Sequence, residues 1–154
     1  PHIKADVTPS LTSNQDWFTQ PGRPGEMNNM FSQYLPEVRE CMRSVIKSGI
    51  KYTFGTDGVH GGIYVEACLA VEQYGASTRD ALKALTINAA QVCELEDKKG
   101  SLEVGKQADM VVLEGNPLDD IRFVKNVKNT YKAGVGYRYP ELDMTVPELV
   151  VLGE

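Results

Sequence analysis

Residues 31 to 54 constrain the fold more than any other part of the chain. Phe31, Leu35, Val38, Met42, Val45 and Ile46 recur at steps of three and four, which lays one apolar stripe along a helix over about 32–48. Gly49 is a natural residue to stop that helix. Ile50 to Phe54 follow at once, rich in β-branched and aromatic side chains, and read as a strand. Upstream, residues 3–12 (IKADVTPSLT) read as one short strand running into a turn at Pro9-Ser10. Strand, helix and strand in this order make a βαβ unit, so the two strands are expected to be parallel neighbours. In such sheets chemistry gathers at the C-terminal ends of the strands, where the βα loops project.

Between the two strands, residues 13–30 (SNQDWFTQPGRPGEMNNM) are rich in Asn, Gln, Pro and Gly and read as a long loop. Trp17 and Phe18 in it, and Tyr34 just beyond, could line a pocket, but core or loop packing is the better explanation of each. A helix is expected over about 64–74, stopped by Gly75. Ser77-Thr78-Arg79-Asp80 resembles a capping box with Asp in the place of Glu, and opens a short helix from Asp80 to Leu85. Another helix is expected at 87–94. From Lys99 the texture changes to glycines around a β run, Met110 to Leu113, then two more short strands with a turn at Ala133-Gly134. The chain therefore divides into an α/β part, 1–98, a mostly β part, 99–140, and a tail, 141–154.

The formal charge is −5 and no basic block occurs, which argues against nucleic acid or an anionic membrane as a partner. No apolar run is long enough to span a bilayer and no signal peptide heads the sequence, so a cytoplasmic location is expected. Cys41, Cys68 and Cys93 are odd in number and widely spaced; buried free thiols are expected rather than a disulfide frame or zinc knuckle.

The stretch T-F-G-T-D-G-V-H-G-G at 53–62 ends the second strand with a lone acid, Asp57, among glycines, and a histidine, His60. Taken alone, Asp57 reads as a turn residue, an N-cap or a working carboxylate, and His60 as a hydrogen-bonded surface histidine or a site residue. His2 carries no weight. One acid and two distant histidines do not make a metal site, because catalytic zinc normally takes three protein ligands.

Three stretches in order, GIKYTFGTDG, YGASTRDALKALTINAAQVCEL and KKGSLEVGKQADMVVLEGNPLDDI, resemble the C-terminal part of the amidohydrolase superfamily. The similarity is to the branch of imidazolonepropionase-like proteins and metal-dependent Xaa-Pro dipeptidases (prolidases), and runs from about Val45 to Tyr137, with VTPSLT at 7–12 leading to the seventh barrel strand. The resemblance implies a TIM (β/α)8 barrel, here its last two βα units, followed by part of a small β-sandwich. It implies divalent metal, usually zinc, lowering the pKa of a bound water. Asp57 matches the family's acid after the eighth strand, which implies a base and proton shuttle, with a possible contact to the metal. His60-Gly61 corresponds to a His-Gly that shapes the substrate pocket. The implied reaction cleaves a C–N bond of a small amide, lactam or dipeptide.

The family's other ligands, an H-x-H pair, a lysine or Glu and two further histidines, have no counterpart in these residues. A full barrel takes about 250 residues, so a chain of 154 beginning at Pro1 reads as a fragment. By itself it is expected to bind divalent metal weakly or not at all. The competing expectation is an inactive truncated product, or a half-chain that assembles with an N-terminal partner. Homo-oligomers are also expected from the resemblance.

Overall fold

A computed structural model describes residues 4–7, 25–56 and 62–137, with backbone only for 4–7 and 25–35. Strand β1 is Lys4–Val7, helix α1 Gly25–Lys47 and strand β2 Lys51–Phe54. The two strands pair in parallel, with Lys4 opposite Lys51 and Val7 opposite Phe54, as the βαβ reading requires. Helices α2 (Ile63–Glu72), α3 (Thr78–Leu85) and α4 (Ile87–Val92) follow. Then come β3 (Met110–Leu113), a 3-10 turn (Ile121–Lys125), β4 (Val127–Lys132) and β5 (Val135–Tyr137). The last three strands form an antiparallel meander in the order β3-β4-β5.

Helix α1 corrects the loop expected at 13–30, since residues 25–30 are its first turns. Gly25 and the Asn28-Asn29 pair are poor helix formers, but propensity is a weak prior that a long helix overrides. The same helix runs through Pro36, which has no N–H to donate to the turn before it. Residues 8–24, with Trp17 and Phe18, and 138–154, with the tail, lie outside the described residues.

Small side chains set the packing. Ala67, Ala70, Ala76, Ala81 and Ala84 are buried with Tyr52, Phe54 and Ile121, and Met42, Val45 and Ile46 of α1 pack against them. Alanines let α2 and α3 approach each other and β2 closely. The two aromatic rings of β2 meet edge-on, with centroids 5.5 Å apart. Ile121 joins this core from the 3-10 turn, so the β meander is tied to α2 rather than hanging from a linker.

Ser77 caps α3 as its sequence suggests, accepting from the Asp80 N–H at 3.1 Å, and the helix begins at Thr78 rather than Asp80. Gly100 has φ +93°, and a Cβ there would stand 2.6 Å from that of Ala90, so the glycine of G-S-L lets this loop close on α4. The cysteines are free, but Cys41 and Cys93 are exposed and only Cys68 is half-buried, which corrects the expectation of three buried thiols. A single apolar stripe on a helix leaves its other faces to solvent, whatever residue stands there.

Candidate functional site: the end of strand β2

Strand β2 is held from the side by two side-chain hydrogen bonds. The Thr53 hydroxyl donates to the Ala84 carbonyl of α3 at 2.9 Å, in a fully buried setting. The Asn88 amide of α4 donates to the Tyr52 carbonyl at 2.8 Å. A hydroxyl and an amide buried at a strand surface need such partners. Their effect is to fix the strand against α3 and α4 just before its C-terminal end. Gly55 and Thr56 follow, half-buried. Asp57, expected as base and possible metal contact, and His60, expected in the substrate pocket, lie outside the described residues, as does Gly61. The chain resumes at Gly62, which is buried and starts α2.

The groups around the strand differ in what they can do. Burial, and secondarily the Asp80 carboxylate, pushes the Tyr52 hydroxyl up to about 12, so it stays protonated at neutral pH. Burial, then Glu72, pushes the Cys68 thiol up to about 11, which leaves it a poor nucleophile. Glu66, in the first turn of α2, has none of its surface exposed. The sequence reading passed over it. Its signal was available: one acid inside Ile63-Tyr64-Val65-Glu66-Ala67-Cys68-Leu69, a run otherwise apolar. Tyr34 is in α1.

The G-S-L-E-V-G-K-Q-A-D block is a clamp rather than a reacting centre. Asp109 accepts from Lys99 at 3.0 Å, from Lys132 at 2.9 Å and from the Ala133 N–H at 2.8 Å. Those donors, the backbone one first, hold its carboxyl well below the usual carboxylate range. Gly134 also donates to the Ala108 carbonyl at 2.9 Å, so the β4–β5 turn is pinned to this loop. Leu102 and Val104 of the block are exposed. Among the described residues no three His, Cys, Asp or Glu side chains converge on a site for a metal ion.

The model of the amidohydrolase family matches residues 26–135. Ochratoxinase of Aspergillus niger is 36% identical over 106 residues, which cover 66% of this chain and 22% of that protein. The imidazolonepropionase of Fusobacterium nucleatum is 29% identical over 119 residues, 72% of this chain and 28% of that one. Among solved structures, a Xaa-Pro dipeptidase with methionine bound in its active site superposes with a TM-score of 0.75 at 28% identity, covering 88% of this chain and 35% of that chain. The crystal structure of A. niger ochratoxinase superposes with a TM-score of 0.72 at 28% identity, covering 90% of this chain and 33% of that chain. The chain thus spans no more than about a third of the length of these relatives. The family match covers more than half of the chain, residues 26–135, and the chain belongs to the amidohydrolase family.

Proposed function

We propose that this chain is the closing part of a metal-dependent amidohydrolase that hydrolyses a C–N bond in a small amide, lactam or dipeptide. Residues 1–98 then supply the last two βα units of a (β/α)8 barrel, and residues 99–140 part of a β-sandwich. The observation that carries the reading is the strand end. Two side-chain clamps, on Thr53 and Tyr52, lock β2, the second strand of a parallel pair, four and five residues before the acid that a family member needs after its last strand. In open and closed parallel sheets that is where reacting groups stand.

Asp57 is the base in this account. It takes the proton from the attacking water as the C–O bond forms, and gives it to the nitrogen as the C–N bond breaks. The proton is thus returned and the carboxylate regenerated. The family is generally metal-dependent, and a divalent ion, zinc for preference, would when bound lower the pKa of the attacking water, so that Asp57 can take its proton near neutral pH. Its ligands, beyond a possible contact from Asp57, come from the remainder of the barrel, on the same polypeptide or on a partner. His60 shapes the pocket for the substrate. The Xaa-Pro dipeptidase among the structural neighbours makes dipeptides with proline second the first substrates to try, followed by lactams and other small amides.

The test is an amine-release assay on the protein purified from its natural source, with Xaa-Pro dipeptides and N-acyl amino acids. Release that stops on chelation and returns with a divalent ion is the expected result. Metal-loaded protein that cleaves no C–N substrate, or cleavage indifferent to chelation, contradicts the reading.

A further inference from the structure

Ile63 is the first residue of α2. Residues three, four and seven positions further along a helix share its face. On that face Glu66, Ala67 and Ala70 are 0%, 0% and 1% exposed, and the two alanines pack with Tyr52 and Phe54 of β2. Ile63 heads the same stripe, yet it is 40% exposed. An apolar side chain at the centre of a buried face has been left in water. The cause is its height along the helix rather than its direction. Phe54 is the last residue of β2, and a helix that follows a strand in such a unit runs back along it. The first residue of α2 therefore belongs to the C-terminal end of the strand, where parallel sheets hold their substrates.

The neighbours of Ile63 leave that place to it. Gly62 is buried and brings no side chain. Tyr64 is on another face: burial, and secondarily the Cys68 thiol one turn on, raises its hydroxyl, and Cys68 lies among charges of the 3-10 turn, Lys125 and Arg122. The Ile63 side chain has no atom that can hydrogen-bond. It gains by covering an apolar group, and a carboxylate or ammonium set against it would lose water without a partner in return.

We propose that Ile63 is a specificity-determining residue of the site at the end of β2, favouring substrates with an apolar side chain beside the scissile C–N bond. This rests on the hydrolase function proposed above and deepens it. The substrate's side chain takes over the exposed surface of Ile63, so the residue acts on the choice of substrate and not on the proton transfer.

The test is a matched pair of amides that differ only in carrying an aliphatic or a carboxylate side chain, Leu-Pro and Asp-Pro among dipeptides. The ratio of their kcat/KM values is measured for the protein purified with the remainder of its barrel, for Ile63→Lys and Ile63→Ala, and for Val92→Lys, which changes an exposed apolar residue of α4. The natural protein is expected to prefer the aliphatic member. Ile63→Lys is expected to lower the ratio at least about tenfold, more than a methylene's worth of discrimination. Ile63→Ala should lower it less, and Val92→Lys should leave it unchanged. A natural preference for the carboxylate, an Ile63→Lys ratio equal to the natural one, an equal loss on both substrates, or the same shift in Val92→Lys would overturn the proposal. If Ile63→Lys does not fold, Ile63→Ala decides by a fall in the ratio or its absence. A natural, metal-loaded protein that cleaves no amide refutes the hydrolase reading and this proposal with it; one that cleaves both members with a ratio indifferent to Ile63 refutes this proposal and leaves the hydrolase reading standing.

Discussion

Tyr52 shows how much a single hydroxyl can say about a strand. Its ring is needed, packed edge-on against Phe54 in the core, but among the described residues its hydroxyl is buried without a hydrogen-bond partner. A donor removed from water and left unmatched is destabilising. Tyr52→Phe keeps the ring and removes the orphan, so it is expected to gain on the order of 1 kcal/mol at neutral pH. The hydroxyl also brings a pH dependence. Its value is raised in the folded state, so the folded state is favoured in full below the ordinary tyrosine value of 10.0 and this advantage is lost as pH rises toward about 12. Thermal melts between neutral pH and pH 11 check both points: Tyr52→Phe should melt higher at pH 7 and lose less of its stability at alkaline pH. A lower melting temperature at neutral pH would show that the hydroxyl has a partner.

At the scale of elements, the β meander depends on one carboxylate. Asp109 gathers two lysines and the Ala133 N–H, and Ala133 sits at φ +51° in the β4–β5 turn. Its value is lowered in the folded state, so its contribution is complete above the ordinary Asp value of 3.8 and fades as pH falls below that. Asp109→Asn is expected to lower the urea midpoint at pH 7, with the gap to the natural protein narrowing in acid. A gap that is constant with pH would place the effect in shape rather than charge. This clamp bears on what the sequence could reveal. The G-S-L…G-K-x-A-D pattern was legible because each residue has a fixed local duty, Gly100 against Ala90 and Asp109 on the turn. The β strands and the Ser77 cap were legible for the same reason. The start of α1 was not, since Gly25 and the asparagines speak against a helix and only the length of the whole element favours one. Glu66 was missed because an acid inside an apolar run breaks the pattern that marks a core helix. Such breaks are where function is most often found.

At the scale of the whole molecule, an α/β half and a β half meet through Ile121 on α2. Leu102, Val104, Val111, Val135 and Tyr137 remain exposed on the β half. Asp57 as the acid that moves a proton is tested most directly by Asp57→Asn in the protein purified together with the remainder of its barrel, with metal content and turnover measured on the same sample. General acid–base catalysis contributes about 10²–10⁴-fold. The account predicts a loss of that order in kcat, with the metal still bound and KM little changed. A variant that keeps its turnover would contradict it, and would return Asp57 to the role of a turn residue at the end of β2.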